Sequence, residues 1–235
     1  MPGIRPALAL LPVVAALSAP VLAARPFVTD DARITTAESC QLESWVRLYP
    51  HSREVWALPA CNPTGNLEIT LGGGWFRYDD LPSTRDQVLQ VKTVLKELTT
   101  NGWGAALAVG ATRHPYGLPG PNGTGNSYAY VPVSASFLDD RAMLHLNLGW
   151  LADKSTRRDN ATWGVGGEYW LTERVSLLGE TFGDNRTNPY WQTGFRTFIV
   201  PNLVQVDATV GRQFGGTRDG QWISIGLRLT PDKLF

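Results

Sequence analysis

Arg196 and Asp207 flank the dipeptide Pro201-Asn202. If that dipeptide is a two-residue hairpin turn, positions summing to 403 face each other, and a guanidinium meets a carboxylate across the strands. Extended to neighbouring segments, the same reading sets Arg228 beside Asp207, Glu180 beside Arg196, and Glu168 facing Glu180 across a turn at 172–174. The expected result is a charge band, Glu168–Glu180–Arg196–Asp207–Arg228, in which the adjacent carboxylates need a shared cation. Such a band either fills a bore with salt bridges or forms a constriction that selects a permeant. Lys92 and His145 fall on the same face of their segments. Hydrolysis would need a Ser nucleophile beside a His base, but the same-face neighbours of His145 along its strand are Met143 and Asn147. His51 and Ser52 diverge in a turn, and His114 lies in a long loop. No metal-ligand spacing, phosphate loop or nucleophile motif is read, so neither enzyme chemistry nor a cofactor is expected.

The elements that would position these groups share one pattern. In 142–152, Leu144, Leu146, Leu148 and Trp150 point one way and His145, Asn147 and Gly149 the other, a strand with period two. Twelve such strands are predicted, at 41–49, 54–61, 67–78, 88–98, 103–112, 128–137, 142–152, 162–171, 175–183, 191–200, 203–213 and 222–229. Connections after even strands are short and those after odd strands mostly long, as in a membrane barrel with periplasmic turns and external loops. Trp75, Trp103, Trp150, Trp163 and Trp191 take the apolar parity toward strand ends, as an aromatic girdle does. The predicted fold is all-β: a transmembrane antiparallel up-and-down β-barrel, apolar outside and polar inside.

Composition agrees. Residues 1–23, with Arg5 followed by an apolar run, read as a signal peptide. Residues 24–39 read as a periplasmic N-terminal segment leading into the barrel, and 40–235 as the barrel itself. The mean hydropathy of −0.14 is uninformative for a barrel that averages a lipid face against a polar lumen. A formal net charge of zero argues against a nucleic-acid partner. The only two cysteines, Cys40 and Cys61, flank the first hairpin. Pairing at positions summing to 101 joins them, sets Trp45 opposite Trp56 and Arg47 opposite Glu54, and predicts a disulfide. Trp45, Trp56 and Tyr130 are then aromatic lumen groups.

The string at 25–34, with Pro26, Thr29, Asp30 and Asp31, followed by Cys40-Gln-Leu-Glu43, resembles a family of bacterial outer-membrane proteins associated with the meta-cleavage pathway of phenol degradation. The resemblance implies a small barrel and a transporter, with aromatic compounds as candidate solutes. A purely structural reading makes Thr29-Asp30-Asp31 a plug or turn at the periplasmic mouth. Barrels of this compartment resemble one another in ending on an aromatic residue read by the assembly machinery. Phe235 fits, although Pro231-Asp232 interrupts the strand before it.

Three functions follow as alternatives: a channel or transporter for small solutes, with aromatic ones as candidates, a structural or interaction barrel with a filled lumen, or an enzyme acting on lipid. The expected partners are outer-membrane lipid, the assembly machinery and a small-molecule permeant.

Overall fold

A computed structural model describes residues 27–114, 122–154 and 157–231. The expected signal peptide, Pro26, Phe235 and most of the longest loop lie outside the described residues.

Twelve antiparallel strands form one closed barrel: β1 Ser39–Leu48, β2 Ser52–Asn62, β3 Glu68–Tyr78, β4 Thr84–Lys96, β5 Trp103–His114, β6 Asn122–Phe137, β7 Ala142–Asp153, β8 Arg158–Trp170, β9 Val175–Asp184, β10 Tyr190–Val200, β11 Val204–Gln213 and β12 Trp222–Leu229. Each strand pairs with its neighbours in sequence, and β1 closes on β12, with Glu43 opposite Arg228. Closure leaves no unpaired edge, which is the condition for crossing lipid with strands. Among the described residues the only helical element is a 3-10 turn, Arg218–Gly220.

Alternation assigns the two faces. On β7, Met143 and His145 are buried while Leu144, Leu146 and Leu148 are exposed. The exposed rows of other strands are likewise apolar, with Leu71, Leu89, Val109, Leu177, Phe195, Ile223 and Ile225 among them. An exposed apolar exterior around a buried polar interior inverts a soluble fold and suits a bilayer. Trp75, Trp103 and Trp150 are exposed outside, and Trp163 and Trp191 are partly so.

The first hairpin has the predicted register: Cys40 opposite Cys61, Trp45 opposite Trp56 and Arg47 opposite Glu54. The Cys40–Cys61 disulfide is formed, the two indoles stack at 5.4 Å, and Arg47 pairs with Glu54 at 3.0 Å.

Two expectations are corrected. Strict alternation from Lys92 would put Lys96 in the lumen as well, but a register shift between Val94 and Lys96 turns it out. It donates to the Trp103 carbonyl at 3.0 Å and covers that indole at 3.6 Å. The N-terminal segment does not simply lead into the barrel. From Glu38, whose N–H donates to the Asn62 carbonyl, the chain folds back into the bore, and Phe27, Thr29, Asp31, Ala32 and Thr35 are buried there. This segment lacks either period because its backbone is satisfied by side chains of the wall, as a buried irregular backbone must be.

Candidate functional site

The inserted segment, residues 27–37, is a plug, and the wall holds its main chain. Glu180 of β9 accepts from the N–H groups of Val28 and Thr29 at 2.7 and 2.8 Å. Ser134 of β6 accepts from Ala32 N–H at 2.9 Å. Glu68 of β3 accepts from Thr35 N–H at 2.7 Å, and Asn62 Nδ2 donates to the Thr35 carbonyl at 2.7 Å. The anchors on β3, β6 and β9 are three strands apart, so the plug is tied on three sides of a twelve-stranded wall.

Its acidic pair supplies the ionic ties. Asp30 lies 2.8 Å from Lys92 Nζ and accepts from Tyr130 Oη at 2.8 Å, while Asp31 is 3.8 Å from the same ammonium. With its oxygen turned to Asp30, the Asn147 amide accepts from the backbone N–H of that residue at 2.7 Å and donates to its carbonyl at 2.9 Å. Thr29 and Phe27 pack where β8 has glycine. A Cβ on Gly164 would lie 2.5 Å from Thr29 Oγ1, and one on Gly166 would lie 3.3 Å from the Phe27 ring.

The charge band is rearranged relative to expectation. Arg196 does face Asp207, but its ion pair at 2.6 Å is with Glu168 rather than Glu180. On β9–β10, Glu180 stands opposite Gln192, and Arg196 opposite Ser176; across the 172–174 turn Glu168 stands opposite Leu178 and Glu180 opposite Gly166, so the two carboxylates do not face each other as expected. The connection between those strands runs through Thr187 and Pro189 and sets a register that a tight turn would not. Glu180 is thereby released to cap the plug. Arg228 stands opposite Gln205, not Asp207, and bonds Gln41 Oε1 through Nε at 3.0 Å with Glu43 at 3.6 Å.

His145 has a serine that reading along its own strand missed. Ser134 stands directly across on β6, with Oγ 2.8 Å from His145 Nδ1. Glu168 lies 3.6 Å from His145 Nε2. The register of the 138–141 turn carries the signal for this pair. Both residues are fully buried, and Ser134 Oγ already takes the Ala32 amide. The group therefore relays the plug to the Glu168–Arg196 pair, with Phe27 lying over it, 5.8 Å from the His145 ring and 5.9 Å from the Arg196 guanidinium.

The plug divides the bore. Toward the mouth with long connections is a cavity of about 410 Å³ walled by Tyr128, Tyr130, Phe182 and Tyr190. Toward the other mouth is one of about 170 Å³ lined by charged groups including Arg33, Glu43, Lys92 and Arg228. Val28, Thr29, Asp30 and Tyr130 line the lower cavity, and Val28, Thr29 and Tyr130 reappear in the upper one, so they form the septum. Among the described residues no cluster suited to a metal ion occurs.

A closed twelve-stranded barrel with an apolar exterior and a polar, plugged bore has the architecture of outer-membrane porins. The chain belongs to the family described as uncharacterised conserved protein UCP029691, which matches residues 12–230. Among solved structures it is similar to the KdgM porin in complex with disordered oligogalacturonate (TM-score 0.61, 10% identity, 81% of this chain and 99% of that one). It is also similar to the NanC porin (0.57, 11%, 81% and 98%). A third likeness is to the COG4313 outer membrane channel from Pseudomonas putida F1 (0.57, 9%, 85% and 97%). At such identities the likeness is one of fold. No curated protein matches the chain.

Proposed function

We propose that the protein is an outer-membrane channel for small solutes whose bore is closed by its own N-terminal segment. The observation that carries this reading is the septum. Two cavities lie in line within the bore, separated by a few residues of plug held through polar ties. Polar ties can be exchanged for water at modest net cost, whereas a hydrophobic core cannot.

The solute class follows from the upper cavity. Tyr128 and Tyr130 stack at 6.2 Å, as do Phe182 and Tyr190 at 5.6 Å. Aromatic walls receive flat rings, and Lys92 beneath the septum receives a solute's carboxylate where that solute takes the place of Asp30. The resemblance of the 25–34 string to the phenol-pathway family supports the same class. A second reading, a barrel whose lumen is filled for stability alone, is favoured by the dense bonding of the plug.

Planar-bilayer conductance and liposome swelling of the full protein with phenolic and benzoate-like solutes separate the two. Channel events, and entry of aromatic solutes faster than through protein-free liposomes, are expected. Absence of both leaves the filled barrel.

A further inference from the structure

Toward the mouth with long connections, exposed arginines stand on the outward face of four consecutive strands: Arg53 on β2, Arg77 on β3, Arg85 on β4 and Arg113 on β5. Arg53 stands directly opposite Arg77, Arg85 opposite Trp75, and Arg113 opposite Gln87. From β3 to β5 each arginine is offset by two residues along the strand from the one before it, so the groups follow a slanted row across strands about 4.8 Å apart. Like charges directly opposite in a ladder repel, and this pair gains from an anion between them. Asp79 and Asp80 lie in the connection beyond the row, where Asp79 faces His51 at 3.7 Å. Asp86 takes the inward parity. Away from the rim the same faces are apolar, with Val55, Trp75, Leu89 and Val109 at 39%, 59%, 51% and 51% exposure. The row is confined to this sector. On β7–β8 the corresponding outward position is acidic, and Asp159 accepts from the Trp150 indole at 3.1 Å.

A cationic row above an apolar wall matches one kind of partner, a lipid with phosphates at the level of the row and acyl chains below it. Guanidinium groups bind phosphate through paired hydrogen bonds and retain their charge at an interface. We propose that the outward face of β2–β5 is a binding site for a phosphorylated lipid of the outer leaflet, its phosphates held by Arg53, Arg77 and Arg113 and its chains lying on Trp75 and Leu89. The proposal uses the reading that the long connections face outward, and it is independent of solute passage.

The test is native mass spectrometry of the detergent-purified barrel with a phosphorylated diglucosamine lipid and its dephosphorylated counterpart. Binding of the phosphorylated form at least tenfold over the other is expected. The variant R53Q/R77Q/R113Q should lose at least tenfold in that binding, whereas Arg212→Gln on β11 retains it. Equal binding of both lipids, full retention in the triple variant, or displacement of the lipid by equimolar inorganic phosphate overturns the proposal. Should the triple variant fail to fold, the wild-type comparison of the two lipids together with Arg77→Gln decides. Bilayer conductance reports separately on the channel.

Discussion

The Asp30 carboxylate lies 2.8 Å from Lys92 Nζ, an ion pair that ties the inserted segment to the wall. Asp30 rides on the plug, and Lys92 is fixed in β4 by its ladder to Glu68 and Ala108. Lys92→Met would leave Asp30 and Asp31 in the bore without their shared cation. Breaking a buried pair from one side costs about 3–5 kcal/mol. Part of that is relieved here if the plug leaves, so conductance should rise several-fold with a lower urea midpoint. The double variant Lys92→Met/Asp30→Asn should recover part of the loss. Single-channel recordings identical to wild type would exclude the plug as the gate.

Sterics give an independent lever. Gly164→Leu would put its side chain where Thr29 sits, since even a Cβ comes within 2.5 Å of Thr29 Oγ1. The wall pairing of β8 through Asn147–Gly164 and Gly164–Phe182 is main-chain and survives the change. The plug should then be displaced and Arg33 exposed. Limited trypsin digestion is expected to cut after Arg33 in the variant and leave the wild-type segment intact under the same conditions.

The Glu168–Arg196 pair, at 2.6 Å with both side chains fully buried, is the ionic core of the wall. Arg196→Ala is expected to lower stability by about 3–5 kcal/mol, read as the shift of the urea midpoint at constant slope. Adding Glu168→Gln should restore part of it, because the uncompensated charge is removed. A midpoint unchanged in Arg196→Ala would mean that the band is solvated, where an ion pair is worth ~1 kcal/mol or less.

The Cys40–Cys61 bridge predicts no free thiol in protein purified without reductant. With a sequence separation of 21, the chain-entropy model assigns it about 3 kcal/mol against the unfolded state. Paired Cys→Ser substitution should lower the urea midpoint accordingly while the heat-modifiable band of the folded barrel persists, because β1 is also laddered to β12.

The first hairpin was legible, Cys40 falling opposite Cys61, and Pro201-Asn202 placed Arg196 opposite Asp207 although a register shift between Phe198 and Val200 pairs Val200 with Val204 at the turn itself. The short 172–174 turn misled by two residues, setting Glu168 opposite Leu178. Where a longer connection intervened, Glu180 moved from the expected neighbour of Arg196 to a cap on Val28 and Thr29. Lys96 escaped parity because a bulge changes the phase of alternation without a mark in residue type. Ser134 escaped because it stands across from His145 on β6, where no spacing along the strand of His145 reports it. Thr29-Asp30-Asp31 was readable as a plug or turn at the mouth, but the path of the plug through the bore was not. Its conformation is written in the wall residues Glu68, Ser134 and Glu180, far apart in sequence, and no local period reports it.

The plug is continuous with β1, and Cys40, two residues beyond Glu38, is stapled to β2. A released plug therefore cannot diffuse away. At about 3.3 Å per extended residue, the 27–38 stretch swings within a few tens of ångströms of the mouth it came from. For a short flexible tether the effective concentration at its own receptor is on the order of millimolar. Re-entry is then intramolecular and independent of protein concentration. Individually modest ties suffice to keep the bore occupied most of the time, and a solute competing for the same groups has to reach a comparable local concentration before it gains the advantage.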